Sequence, residues 1–150
     1  MSINEFRVSI RINASRDDVW RYLVDWKSQG DWMALTKVTS SADASGISGV
    51  GTEISAFTGI WKFGIWDHMR VTQWEPPTFC AVDHYGKLIK GIGEFRLTVD
   101  ADSSTRFDWY EKIEAPRALL AVIKPGILIA VYFSLRKFAR RISTSKPNSQ

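Results

Sequence analysis

The sequence predicts a single α+β domain in which a curved antiparallel sheet wraps around a C-terminal helix. Three observations favour this fold class. The chain has 150 residues, which suits one domain with one core. Six consecutive segments with strand character are joined mostly by short turns, and short connections force antiparallel pairing. The segment 118–141 repeats apolar residues every three or four positions, as a helix with one buried face does.

The first elements are a strand and two short helices. Residues 5–12 alternate apolar and polar side chains, which is typical of a half-buried strand. Ser15 suits a helix N-cap, and Asp17 and Asp18 suit the dipole of the first helical turn. The first helix is therefore expected to run to about residue 25, and a short aromatic segment at 26–32 follows it.

Six further strands complete the predicted sheet of seven. They are expected at 35–41, 52–58, 63–74, 78–85, 88–99 and 105–113. A loop rich in Ser, Ala, Asp and Gly occupies 40–51, and Pro76 and Pro77 interrupt pairing and force a turn. Gly86 and Lys87 suit a hairpin connection. A sheet this long has to twist and curl, so its concave face is expected to cover the helix.

The C-terminal helix is expected to contain a break. Pro125 and Gly126 lie inside its pattern, which predicts either a kink or two helices. Its predicted buried stripe is apolar and consists of Leu128, Val131, Tyr132, Leu135, Phe138, Ala139 and Ile142. The domain is expected to span 1–142, followed by a disordered polar tail at 143–150.

Composition and charge exclude several classes of protein. The one cysteine, Cys80, excludes an intramolecular disulfide and a multi-thiolate zinc site, and the two histidines lack metal-binding spacing. No metal or cofactor is therefore predicted. The net charge of +4 arises from a basic C-terminal segment, while the rest of the chain is nearly neutral, which argues against a nucleic-acid partner. The first residues lack the apolar stretch of a signal peptide, so a cytoplasmic location is expected.

Five blocks of the sequence carry a resemblance to a known family. They are INASRDDVWRYLVDWKSQGDWM, GVGTE, TQWEPPTF, GKLIKGIGEF and TRFDWYEKIEAP. In this order they resemble the polyketide cyclase/dehydrase branch of the START-like superfamily, and they look most like actinobacterial members of unknown substrate. The resemblance covers nearly the whole chain and implies a helix-grip fold with a pocket for a hydrophobic ligand. Because the superfamily includes binders, carriers and enzymes, the resemblance leaves the activity open.

Two carboxylates are candidates for catalysis because period-two alternation turns them inward. Glu111 shares a strand face with Phe107 and Trp109, and Asp67 shares one with Met69. Two carboxylates in one apolar site would raise the pKa of one of them and create an acid/base pair. The alternative is a structural role for each, in which Glu111 bonds a backbone amide or an arginine and Asp67 pairs with a nearby base.

The candidate ligand-binding residues come from the sheet, the loops and the last helix. Gly91 and Gly93 share the inward face of a strand with Phe95, where missing side chains would leave room for a ligand or, alternatively, for the long helix. The remaining candidates would form walls or the entrance, with plain core packing as the alternative for the aromatic ones: Trp32, Trp61, Tyr85, Trp109, Leu128 and Tyr132.

These patterns favour three alternative functions. The first is binding or carriage of a hydrophobic small molecule, such as a polyketide, an aromatic compound or a lipid, oriented by Asp67, Glu111 or Tyr85. The second is a cyclase or dehydrase in which Glu111 or Asp67 removes a proton alpha to a carbonyl. The third is lipid handling at an anionic membrane surface through the basic C-terminal helix. The sequence is compatible with a monomer or a homodimer.

Overall fold

A computed structural model of the protein describes residues 1–144, apart from the side chains of Ile123, Pro125, Ile127 and Thr144. The elements in chain order are β1 (Ser2–Ile12), α1 (Arg16–Leu23), α2 (Trp26–Trp32), β2 (Thr36–Ser40), α3 (Ala42–Ser45), β3 (Glu53–Ile60), β4 (Phe63–Glu75), β5 (Phe79–Tyr85), β6 (Lys90–Val99), β7 (Thr105–Ala115) and α4 (Arg117–Thr144). The structure confirms the predicted α+β helix-grip fold.

One seven-stranded antiparallel sheet organises residues 1–144, with strand order β1-β7-β6-β5-β4-β3-β2. Each strand from β2 to β6 pairs with the next strand along the chain, as short connections require. The first strand pairs with the last, so that Phe6 lies opposite Glu111. This pairing makes β7 an interior strand, one strand in from the sheet edge.

The two short helices after β1 pack beneath the sheet as the sequence predicts. The hydroxyl of Ser15 accepts a hydrogen bond from the backbone N–H of Asp18 and caps α1. Trp20 of α1 contacts Trp74 of β4 edge to face, with ring centroids 5.1 Å apart. Trp32 of α2 packs on Phe138 of α4 at 4.7 Å, so the helix pair joins the sheet to the C-terminal helix.

One short helix was absent from the sequence prediction. The predicted loop at 40–51 contains α3, a single turn whose start is held by Asp43, which accepts a hydrogen bond from the backbone N–H of Ser40. It ends at Gly46, whose φ of 71° is a left-handed conformation that glycine adopts without strain. Because this helix is only four residues long, it leaves no readable periodicity in the sequence.

Helix α4 differs from the prediction in two respects. It is one helix from Arg117 to Thr144, so the two-helix alternative is wrong. Its buried stripe is also shorter than predicted, because Leu128 is 44% exposed and Tyr132 is 43% exposed, whereas Leu135 is fully buried. The reason is that Leu128 and Tyr132 face outward, whereas Ala130 and Val131 turn toward the cavity beneath this part of α4.

The start of the predicted C-terminal tail differs from the structure. The predicted tail begins at 143, but α4 continues to Thr144, and residues 145–150 lie outside the described part of the chain. Within residues 1–144 no helix has the length and apolar character needed to cross a membrane.

Candidate functional site

A cavity of about 530 Å³ lies between the concave face of the sheet and α4. This volume falls in the range of small-molecule sites, which is roughly 300–1,000 Å³. Its walls are mainly apolar, and among the described residues its lining includes no lysine or arginine. The charged or ionisable side chains in that lining are Asp67, His84 and Glu111. The cavity therefore has apolar walls and one polar region.

These three side chains form a compact group, which we call the His84 cluster. The Nδ1 of His84 lies 3.0 and 2.9 Å from the two carboxylate oxygens of Asp67. Its Nε2 lies 2.9 Å from Oε2 of Glu111, within ion-pair distance but without the alignment of a hydrogen bond. The indole N–H of Trp109 donates to the other oxygen of Glu111 at 2.8 Å. The imidazole is thus held between two carboxylates on a nearly dry surface.

Strand alternation and register explain why these residues meet. Asp67 comes from β4, His84 from β5 and Glu111 from β7, and all three point to the concave face. Val82 lies opposite Gly93 on β6, and Gly93 lies opposite Glu111 on β7. Since Gly93 has no side chain, Glu111 can reach over β6 toward His84.

The two glycines of β6 are required by close approach. A Cβ at Gly93 would lie 3.1 Å from both Oε1 of Glu111 and Nε2 of His84, which is tighter than nearly all real contacts. A Cβ at Gly91 would lie 1.9 Å from the carbonyl oxygen of Lys112, and its φ of 140° disfavours other residues. Gly93 therefore makes room for the His84 cluster, and Gly91 for the neighbouring backbone.

The electrostatics of the His84 cluster favour a charged imidazole. Burial alone would lower the pKa of His84, but the charge of Glu111, 2.9 Å from Nε2, and the hydrogen bond to Asp67 together raise it to about 10. At neutral pH the cluster then consists of one cation and two carboxyl groups.

Within residues 1–144 no group of three His, Cys, Asp or Glu side chains is arranged to hold a metal ion.

Four of the predicted site residues line the cavity. Asp67 and Glu111 flank His84, and Phe95 and Trp109 form an aromatic wall beside them, with ring centroids 5.1 Å apart. The structure therefore brings both candidate carboxylates to one surface. Gly91 and Gly93 lie on the same face, next to this surface but outside the cavity lining.

Five predicted ligand-binding residues lie away from the cavity lining. Trp32 is buried against Phe138, and Trp61 is 76% exposed at the tip of the β3–β4 hairpin. Leu128 and Tyr132 are on an outward face of α4.

The fifth of these residues, Tyr85, lies on the outer face of the sheet. There its hydroxyl donates to Glu53, and its ring stacks with His68 at 6.2 Å. Its position follows from strand alternation, because its neighbour His84 takes the inward place.

His84 is the residue of the cluster that the sequence analysis did not propose. On β5 the inward residues are Cys80, Val82 and His84, which alternate with Asp83 and Tyr85. The alternation was readable, but the apolar residue at position 81 makes both faces of this strand look buried. Pairing β5 with β6 in register would have identified the inward set.

Cys80 lies on the same inward face but has a different character. It is fully buried, and burial raises the pKa of its thiol to about 12. Because the thiolate is the reactive form, this cysteine is an inert core residue near neutral pH.

The family of the chain follows from its sequence and fold together. A sequence model described as "Polyketide cyclase / dehydrase and lipid transport" matches residues 4–143. The chain belongs to this family. The predicted polyketide cyclase/dehydrase branch of the START-like superfamily is thereby confirmed. A comparison with curated proteins found no sequence match.

Solved structures share the fold of this polyketide cyclase/dehydrase family member. Protein TTHA0849 from Thermus thermophilus is 14% identical with a TM-score of 0.78, and the match covers 96% of this chain and 100% of that one. The Zhui aromatase/cyclase from a Streptomyces species is 16% identical with a TM-score of 0.74, covering 99% and 98%. Norcoclaurine synthase from Thalictrum flavum is 13% identical with a TM-score of 0.69, covering 98% and 90%. At these identities the likeness is one of fold.

Proposed function

We propose that the protein binds a hydrophobic small molecule in its cavity and orients that molecule with the His84 cluster. The observation that carries this proposal is a cavity of about 530 Å³ whose apolar walls enclose one group of ionisable side chains. The family description, which names polyketide cyclases, dehydrases and lipid transport, supports a ligand of this class.

The walls and the cluster would contribute differently to binding. Removal of apolar ligand surface from water against Phe95, Trp109 and their neighbours would supply most of the affinity. A polar ligand group taken into the same cavity needs a partner, because an unpaired buried polar group is costly. The His84 cluster would provide that partner and fix one end of the ligand.

A second candidate function is a cyclase or dehydrase reaction on the bound molecule. One specific observation favours it: Oε2 of Glu111 is buried, lies beside the cavity and has no aligned hydrogen-bond donor. This oxygen would accept a proton from a carbon alpha to a carbonyl. The Nε2–H of His84, which also has no aligned acceptor, would donate to the enolate oxygen that forms.

Two substitutions on α4 test where the ligand binds. Ala130 lines the cavity, whereas Ala121 is exposed on the same helix and lies outside the lining. Native mass spectrometry of freshly purified protein is expected to show a bound small molecule that is lost on denaturation. Ala130→Trp should reduce its occupancy, and Ala121→Trp should not. Equal occupancy in both variants would place the ligand elsewhere and refute the proposal.

Glu111→Gln separates binding from catalysis. The recovered ligand is incubated with the parent protein and with this variant, and products are followed by mass spectrometry. Conversion by the parent protein that is lost in Glu111→Gln supports the enzyme. Binding without conversion in either protein supports a carrier.

A further inference from the structure

We infer that the cavity selects ligands that carry a positively charged amine on an apolar body. This inference rests on the proposed function and names the chemical class of its ligand. Three features support it: the charge of the His84 cluster, the apolar cavity walls and a carboxylate oxygen without an aligned hydrogen-bond donor.

The geometry of the cluster favours an imidazole that is protonated on both ring nitrogens. Both ring nitrogens of His84 lie within 3.0 Å of carboxylate oxygens, Nδ1 at Asp67 and Nε2 at Glu111. A neutral imidazole has only one N–H, so it would set a nitrogen lone pair against a carboxylate. A ring protonated on both nitrogens avoids this repulsion. Two carboxylates around one imidazolium then leave a net charge of −1.

Mainly apolar groups surround this negative charge. The groups that face His84 are Asp67 and Met69 from β4, Gly91 and Gly93 from β6, and Glu111 from β7. None of them is a second cation, and the described lining of the cavity holds no lysine or arginine. An uncompensated charge among apolar groups is unfavourable, so a cation in the cavity would be stabilised.

Glu111 offers an acceptor for the N–H groups of a ligand ammonium. Trp109 donates to Oε1 of Glu111 and fixes the carboxylate, while Oε2 is buried and lacks an aligned donor. An ammonium group has three donors and would satisfy this oxygen. Trp109 and Phe95, which line the cavity with the cluster, are aromatic, and the π systems of such rings favour a cation over an anion. Ligands with a carboxylate or phosphate at this end would be repelled.

Three probes with the same apolar body test the inference by isothermal titration calorimetry near neutral pH. They are naphthylethylamine, naphthylethanol and naphthylacetate, which present a cation, a neutral hydroxyl and an anion. The amine is expected to bind at least about tenfold more tightly than the alcohol, since hydrogen bonds to charged groups are the stronger ones. The acetate is expected to bind most weakly.

Substitutions of the two carboxylates test whether they cause the preference for the amine over the alcohol. Glu111→Gln keeps the side-chain size and makes the cluster neutral, so the ratio of amine to alcohol affinity should fall to about one. Asp67→Asn removes the other carboxylate and provides a second variant with the same expectation. Glu114→Gln, on the same strand but outside the cavity lining, is the matched control and should retain the preference.

The outcomes separate this inference from the proposed function. Equal affinities for the amine and the alcohol, or tighter binding of the acetate, would overturn the inference and leave hydrophobic binding intact. A preference that survives in both carboxylate variants would also overturn it. If none of the three probes binds, the proposed function and the inference both fail.

Discussion

Substitution of His84 by glutamine removes the cation that lies between two carboxylates. Asp67 and Glu111 would then face each other across a nearly dry site without a compensating charge. Breaking a buried ion pair by removing one partner costs about 3 to 5 kcal/mol. The raised pKa of His84 points in the same direction, because the two carboxylates favour the charged imidazole in the folded state. The free energy of unfolding should fall by this order near neutral pH.

The same interaction predicts a pH dependence of stability. A group whose pKa is raised in the folded state stabilises the fold fully below its unfolded pKa, and it loses this effect as pH rises through the folded value. For His84 the loss is expected between pH 6.5 and about 10. The free energy of unfolding should therefore decline across this window in the parent protein and decline much less in His84→Gln.

Urea unfolding followed by tryptophan fluorescence measures both effects. The pKa of the buried Cys80 thiol is also raised, so this residue lowers the free energy of unfolding as pH rises above 9. Because Cys80 is present in both proteins, its contribution cancels when the two free energies are subtracted. The stability difference between parent and variant should be large near neutral pH and shrink toward pH 10. A difference below about 1 kcal/mol, or one that does not change with pH, would refute the ion-pair account.

Two further predictions concern Gly93 in β6 and Trp61 at the tip of the β3–β4 hairpin. Gly93→Ala should destabilise the fold by about 1 to 3 kcal/mol and lower the NMR-measured pKa of His84, because its methyl would separate the cluster. Gly49→Ala, whose Cβ meets nothing within 4 Å, is the control, and equal effects would contradict this reading. We also expect exposed Trp61, beside Lys62, to contact anionic membranes. Trp61→Ser should weaken co-sedimentation of the protein with anionic vesicles severalfold. Ile47→Ser, at an equally exposed loop position, is the control and should leave co-sedimentation unchanged. Unchanged co-sedimentation of Trp61→Ser would count against the membrane contact.

The sequence predicts the fold well because local chemistry fixes most of it. Alternation in β1 and β7, the cap at Ser15 and the short hairpins leave little choice of topology. The course of α4 was less predictable. A helical apolar pattern shows which face is hydrophobic, but it does not show where that face stops touching the sheet. Leu128 and Tyr132 continue the apolar pattern but lie on the exposed, outward face of α4, whereas Val131 between them packs against the core.

The site was predictable in its carboxylates and not in its histidine. Asp67 and Glu111 were placed inward by alternation within their own strands. His84 required the register between β5 and β6, since Ala81 and Phe79 make the outer face of β5 appear buried as well. The role of Gly93 also depends on register, because its importance comes from Glu111 on the neighbouring strand.

The most direct test of the central claim is a titration with naphthylethylamine, followed through the indole N–H signals of tryptophan in a two-dimensional NMR spectrum. Trp26 and Trp109 line the cavity, and Trp61 and Trp66 are exposed outside it. The account predicts that the signals of Trp26 and Trp109 shift in a saturable manner, with the largest change at Trp109, whose N–H is bonded to Glu111. Shifts confined to Trp61 and Trp66, or the absence of any shift, would contradict it.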